Sequence, residues 1–323
     1  MQTKIKKISS DASFREFYRI QKNSKSTILV RSNKDKFKNL IVYAAVNKLL
    51  IDNKIKAPIF IQEYFNNEMM EIEDLGNNSF FDHIKYKKNK FSSYKKLIQI
   101  IINLQNIKLK KYIKFKKYKI KINNYNLVEL HKESDLFFHW YLKNNSTKKN
   151  FNKFKKKIRK ELDNLYKKLY FQNRCLVHRD FHVSNIMIKN NNIGLIDSQD
   201  IIRGNLLYDI ASLIDDVRIV LPIHLKLKLF SHYLSKTKKI TINERNLAKN
   251  DFDILSVQRN LKILGIFVRL SKRDKKSNYL KFLPNTWRLL DLRLKNPIFN
   301  NLKYLLNNAV PKKNKKKLNF DAN

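Results

Sequence analysis

The stretch Leu176–Asp200 constrains this chain more than any other. It reads Leu-Val-His-Arg-Asp-Phe-His-Val-Ser-Asn-Ile-Met-Ile, breaks at the polar Lys189–Asn192, and resumes as Ile-Gly-Leu-Ile-Asp. Two short apolar runs, Ile186–Ile188 and Ile193–Ile196, flank an asparagine-rich turn, which is the pattern of an antiparallel hairpin. In such a hairpin the start of the first strand lies beside the end of the second. Asn185 is therefore expected next to Asp197, although twelve positions separate them. A carboxylate beside an amide oxygen is a hard-oxygen pair of the kind magnesium takes from protein when nucleotide phosphates and water fill the rest of its shell. Asp180, five residues before Asn185, is placed to accept a proton from an attacking hydroxyl.

The alternative is that His178, Asp180 and Asn185 are ordinary loop polars, and a lone His-x-Asp carries little weight. His-x-Asp-x-x-x-x-Asn closed by an apolar hairpin ending in Ile-Asp is far more specific. It matches the kinase arrangement of a catalytic-loop Asp, an Asn on metal and a second Asp on metal.

The surroundings suit such a site. Phe14–Ile20 and Thr27–Val30 read as strands, Asp35–Leu50 has helical apolar spacing, and Pro58–Tyr64 and Met69–Ile72 read as two more strands. After Glu73–Gly76 the character changes. Leu97–Leu104, Leu127–Leu142 and Phe154–Leu169 are helical patterns, as are Leu206–Val217, His224–Leu234, Phe252–Leu270 and Trp287–Leu294 beyond the hairpin. The fold class expected is α+β: a protein kinase-like bilobal fold with a small β-rich N-lobe over residues 1–75, a large mainly helical C-lobe over 76–311, and a basic tail over 312–323. Only four glycines occur, and three of them, Gly76, Gly194 and Gly204, flank these segments. A chain this poor in glycine keeps it where backbone geometry leaves little choice.

Composition narrows the class of protein. With 323 residues, 43% of them hydrophobic, the chain can bury a real core. No apolar run approaches the roughly 20 residues of a membrane span, and the polar, basic Met1–Ser10 is not a secretory signal. The single cysteine, Cys175, rules out an internal disulfide and a cysteine-rich metal site. A cytoplasmic location is expected. The formal charge of +42 invites a nucleic-acid reading. However, the lysines are spread along the chain, clumping at Lys85–Lys90, Lys108–Lys121, Lys153–Lys160 and Lys312–Lys317, and lysine, asparagine and isoleucine are all abundant. Compositional drift explains this better than a dedicated nucleic-acid function. The surface would still attract a polyanion such as ATP.

The motifs resemble the aminoglycoside phosphotransferase and choline kinase group. More narrowly, they resemble the anomeric sugar kinases of peptidoglycan recycling, which phosphorylate N-acetylmuramate and N-acetylglucosamine at C1. The similarity covers most of the chain: Asp11–Arg15, Glu73–Gly76, His178–His182, Asp197–Asp200, Gly204, Tyr208–Leu213 and Gln258–Phe267. The last of these, together with Phe138–Tyr141, points to the sugar-kinase branch. The resemblance implies ATP and Mg2+ as cofactors, Asp180 as the catalytic base, and Asn185 and Asp197 as metal ligands. It implies nucleotide contacts from Ser13, Phe14 and Arg15 in a phosphate-covering turn, from Leu29 and Arg31 on a strand, and from the backbone of Glu73 and Leu75 at a hinge. His182, Gln199, Asp200 and Arg203 near the catalytic loop, and Glu133 and Trp140 on a helix, would contact the sugar. Trp140 taken alone reads better as core packing. His178 and Asp209 would be structural.

Two departures from the family pattern stand out. Arg31 stands where a lysine is usual, and the helix after it, Asp35–Leu50, has no glutamate to pair with it. The expected partners are a small-molecule sugar and ATP, with no membrane and no nucleic acid, and the expected state is a monomer. Two rivals stay open at this point. One is another kinase of the same fold acting on choline, homoserine or an aminoglycoside. The other is a degenerate kinase fold that binds nucleic acid through its basic surface.

Overall fold

The computed structural model describes residues 3–8, 15–23, 25–33 and 38–315. It divides into two compact units, each discontinuous in sequence: Met1–Asn123 with Cys175–Arg203, and Asn124–Arg174 with Gly204–Asn323.

The first unit is built on a five-stranded antiparallel sheet of β1 (Thr3–Ile8), β2 (Glu16–Lys22), β3 (Lys25–Arg31), β4 (Phe60–Tyr64) and β5 (Met69–Glu73), in the order β1-β2-β3-β5-β4. Helix α1 (Lys38–Asp52) lies between β3 and β4 in sequence. Facing pairs across an antiparallel ladder share a side of the sheet. Phe17 opposes Val30 and Arg19 opposes Ile28, while Tyr18 opposes Leu29 and Glu16 opposes Arg31. Ile28 and Val30 are buried, so the first set is the inner face and the second the outer one. The unit continues through α2 (Phe80–Lys85), α3 (Phe91–Asn106) and the hairpin β6–β7 (Tyr112–Phe115, Tyr118–Lys121). It is completed by β8 (Cys175–Val177), the hairpin β9–β10 (Ile186–Lys189, Asn192–Leu195) and β11 (Ile202–Gly204), which pairs with β8.

The second unit is helical: α4 (Leu127–Leu136), α5 (Lys148–Tyr166), α6 (Tyr208–Ile214), α7 (Ile223–Lys236), α8 (Arg245–Lys272), α9 (Leu283–Arg293), α10 (Asn300–Ala309) and the short α11 (Lys312–Lys315). Helix α8 is buried along most of its length. Its Gly265 allows a close helix crossing, because a Cβ there would stand 2.2 Å from the carbonyl carbon and oxygen of Leu136. At that contact α4 stops being α-helical and continues as a π-helical stretch over Phe137–Leu142. The helix expected over Leu127–Leu142 is therefore two geometries in series. Among the described residues no helix is long and apolar enough to cross a membrane.

Strand β1 and helix α10 have no counterpart in the sequence reading. Strand β1 is exposed almost throughout and lies at the sheet edge, so it lacks the alternation that marks a half-buried strand. Residues 316–323 of the basic tail lie outside the described residues.

Candidate active site

The loop His178–Asn185 and the hairpin that follows it form within the first unit. Strands β9 and β10 pair with Ile186 opposite Leu195, and the ladder extends one step further, the Ile196 amide donating to the Asn185 carbonyl at 3.0 Å. This brings Asn185 level with the approach to Asp197, as the hairpin pattern predicts. Turn chemistry sets the register: Asn190 and Asn191 both adopt positive φ, 49° and 61°, which asparagine tolerates better than most residues. Gly194 allows the hairpin to sit tightly, since a Cβ there would lie 2.7 Å from Cδ1 of Leu75.

Asn185 spends its amide nitrogen on the loop, donating to the main-chain carbonyl of Asp180 at 3.1 Å. The same carbonyl accepts the His182 amide at 3.0 Å. The Asn185 side-chain oxygen is thereby left as an acceptor. Asp197 sits in the left-handed region, φ 63° and ψ 39°, and Arg179, beside Asp180, has φ 73°. Non-glycine residues held there cost energy and cluster at functional loops.

Asp197 is held from two sides. The Arg15 guanidinium donates to its Oδ1, and Gln199 Nε2 donates to the same oxygen at 3.2 Å. Arg15 also donates to Gln199 Oε1 at 2.8 Å. Its guanidinium carbon lies 5.6 Å from the Phe17 ring centroid and 5.2 Å from that of Tyr43 on α1. Burial pushes the Tyr43 hydroxyl up to about 12, against the opposing pull of the Arg15 guanidinium. Asn47, one turn along α1, accepts the Ser198 hydroxyl at 2.6 Å.

Several expected residues fall elsewhere. Leu29 and Arg31 share a face, as alternation requires, but it is the outer one. They border a hollow of about 530 Å³ with Ile5, Tyr18 and Met69, and Arg31 is 56% exposed, 3.9 Å from Glu16. The cation that reaches the Asp197 carboxylate is Arg15. Gln199, expected at the sugar, has both ends of its amide engaged: the oxygen by Arg15, the nitrogen by Asp197 and by Asp200 at 3.2 Å. Asp200 is exposed, Arg203 is half-buried on β11, and His182 is half-buried. Ser13 and Phe14 lie outside the described residues.

At the end of β5, the Glu73 carboxylate pairs with Lys56 at 2.7 Å and Leu75 is buried. Between them Asp74, a residue the sequence did not single out, is the most heavily bonded. Arg19 grips it with two nitrogens at 2.6 and 3.0 Å, Ser26 donates at 2.5 Å and the Gly76 amide at 2.8 Å. Burial alone would raise its pKa, but Arg19, Ser26 and Gly76 outweigh that and hold it below the ordinary value. The sequence signal is the Asp-x-Gly turn, in which a carboxylate accepts the amide two residues on.

In the second unit Glu133 is the centre of a buried network. Its Oε2 accepts from Tyr125 at 2.6 Å, Tyr208 at 3.0 Å and Gln258 at 3.0 Å, and its Oε1 from Lys262 at 3.0 Å. Arg259 lies 5.0 Å from the Tyr208 ring. The Gln258–Phe267 motif thus serves this carboxylate through Gln258 and Lys262, and permits the α4 crossing through Gly265. Glu133, expected to bind sugar, is instead engaged by four protein donors. Trp140 is half-buried on the π-helical stretch, and His178 and Asp209 are buried.

Residues 126–241 match the family model described as the phosphotransferase enzyme family. Among curated proteins it is similar to the N-acetylmuramate/N-acetylglucosamine kinase of Pseudomonas aeruginosa, with 26% identity over 88% of this chain and 81% of that enzyme. It is similar also to the Pseudomonas putida enzyme of the same name, with 25% identity over 85% of this chain and 79% of that one.

Solved structures show the same fold at low identity. A thermostable mutant of an aminoglycoside phosphotransferase superposes with a TM-score of 0.63 at 12% identity, covering 91% of this chain and 95% of its own. A spectinomycin phosphotransferase in complex with ADP and spectinomycin gives 0.55 at 14%, covering 94% and 92%. The fold is the α+β, protein-kinase-like one: an antiparallel sheet in the N-terminal region and a mainly helical C-terminal region.

Proposed function

We propose that this protein is an ATP-dependent small-molecule kinase that phosphorylates a sugar hydroxyl, the anomeric C1 hydroxyl of N-acetylmuramate or N-acetylglucosamine. The observation that carries the phosphotransfer reading is the Asn185–Asp180 tie at 3.1 Å beside the hairpin that delivers Asp197. The sugar is supported by the names of the relatives, which match over most of the chain.

In this reading Asp180 takes the proton of the acceptor hydroxyl as its oxygen attacks the γ-phosphorus. The bond from that phosphorus to the β–γ bridging oxygen breaks, and ADP leaves. The donor set fits magnesium, with one carboxylate, Asp197, and one amide oxygen, Asn185, which is the small hard-oxygen contribution magnesium accepts from protein when phosphates supply the rest. The bound ion would neutralise charge on the transferring phosphoryl group. Arg15, with Ser13 and Phe14, would contact the phosphates, and the backbone at Glu73 and Leu75 the adenine. Residues 1–75 would form the nucleotide lobe and 76–311 the catalytic and substrate lobe. Glu133 and Gln199 would position neighbouring groups, leaving His182, Asp200, Arg203 and Trp140 as candidate sugar contacts. We take the protein to be cytoplasmic and monomeric.

The test is an ATP-consumption assay over a panel of acceptors: the two amino sugars, choline, homoserine and an aminoglycoside. Turnover with the amino sugars alone is expected. Turnover with choline or the aminoglycoside and not with the sugars would move the protein to another branch of the family.

A further inference from the structure

Helix α1 has no glutamate, and two of its buried polar side chains, Tyr43 and Asn47, meet Arg15 and the segment that carries Asp197. Asn47 receives the Ser198 hydroxyl at 2.6 Å. The Tyr43 ring lies, with that of Phe17, close to the Arg15 guanidinium. The Arg15 side chain is 3% exposed, whereas the Asp197 carboxylate it pairs with is 35% exposed. The cation is enclosed and the anion faces outward. Oδ1 of Asp197 already accepts two donors, Arg15 and Gln199. A divalent cation brought onto that carboxylate would stand within a few ångströms of the guanidinium, and like charges at that range repel strongly.

We propose that Arg15 and the divalent metal exchange at Asp197. Without metal, the guanidinium neutralises the carboxylate. When metal and nucleotide take Asp197, the guanidinium keeps its aromatic seat and turns its fork of donors to the phosphates. This assigns to Arg15, just before β2, the work of the missing strand cation and helix glutamate. Aromatic faces retain a guanidinium without fixing its hydrogen-bond partner, and arginine engages phosphate with two parallel N–H groups where lysine offers a point charge. The inference rests on the kinase reading and adds a mechanism to it.

The experiment uses the full chain as wild type, Arg15→Ala and Arg15→Lys. Mn2+ binding is read by electron paramagnetic resonance without nucleotide, and ADP and adenosine binding by calorimetry at saturating Mn2+. Arg15→Ala is expected to bind Mn2+ about tenfold tighter and ADP about tenfold weaker, with adenosine unchanged, since a coupling of this kind is worth roughly that factor. Arg15→Lys keeps the charge and should hold Mn2+ affinity near wild type. Unchanged Mn2+ affinity in Arg15→Ala overturns the exchange. So does equal tightening in both variants, and so does a parallel loss of ADP and adenosine binding, which is the mark of a structural role alone. A wild-type protein that binds neither Mn2+ nor ADP overturns the kinase reading itself. One that binds both, with variants that match it, overturns the exchange and leaves that reading intact.

Discussion

Asn185 donates its side-chain amide to the main-chain carbonyl of Asp180 at 3.1 Å. One residue thereby ties the proposed base to the proposed metal. Its nitrogen fixes the loop, and its oxygen is left beside the end of a strand that leads to Asp197. Asn185→Ala should lose both functions. We expect the apparent magnesium affinity in turnover to fall about 10- to 100-fold, the range found when groups orienting a metal site are removed. A magnesium titration of initial rates checks this, and a variant with lowered kcat but an unchanged magnesium requirement would contradict it.

Asp180 has a narrower task. Its replacement by alanine should lower kcat by about 10²- to 10⁴-fold, the usual contribution of a positioned general base, while leaving ATP affinity within a few-fold of wild type. Single-turnover kinetics with nucleotide binding measured in parallel separates the two effects.

Gly265 tests the α8 contact. A methyl group there would meet the Leu136 backbone at 2.2 Å, and backbone cannot move aside as a side-chain end can. Gly265→Ala should destabilise the protein by about 3 kcal/mol, the upper end of ordinary overpacking, visible as a lowered thermal midpoint. An unchanged midpoint would mean that α4 and α8 do not approach this closely.

Asp215 anchors a buried ion cluster, with Lys226 at 2.9 Å, Arg293 at 2.7 and 3.0 Å and Ser256 at 2.6 Å. Burial alone would raise its pKa, but Lys226 and Arg293 overcome this and hold it well below the ordinary 3.8. The folded state therefore binds this proton less readily than the unfolded state. The stabilisation is complete above pH 3.8 and drains away as the pH falls further. Burial draws Lys226 below its usual value even as Asp215 resists, so removing the carboxylate strands a buried cation. Asp215→Asn should cost about 3–5 kcal/mol near neutrality. Its stability should then fall less steeply than wild type below about pH 4, since it lacks the group whose linkage drives that loss. Urea unfolding across pH 3–7 measures both.

The sequence made some of this legible and hid the rest for physical reasons. The β9–β10 hairpin could be read because turn residues and two apolar runs are local signals, and Asn185 and Asp197 come together through them. Alternation paired Leu29 with Arg31, which is also local. Which face of the sheet they occupy depends on what packs against it, which alternation does not record; both Arg15 and Arg31 were expected at the phosphates, and it is Arg15 that meets Asp197 while Arg31 stands on the outer face. The Gln258–Phe267 motif was visible as a motif. Its roles, holding Glu133 and admitting the α4 backbone, exist only once three helices have met. Strand β1 lacked a buried face to betray it.

The most direct test of the central claim is product analysis. The purified protein, incubated with N-acetylmuramate, ATP and magnesium, should yield the sugar carrying one added phosphate by mass spectrometry. Phosphorus NMR should show that phosphate coupled to the anomeric proton, and the Asp180→Ala variant should give none at comparable times. A phosphate on another hydroxyl would contradict the C1 assignment. ATP turnover without any phosphorylated sugar would contradict the sugar-kinase reading altogether.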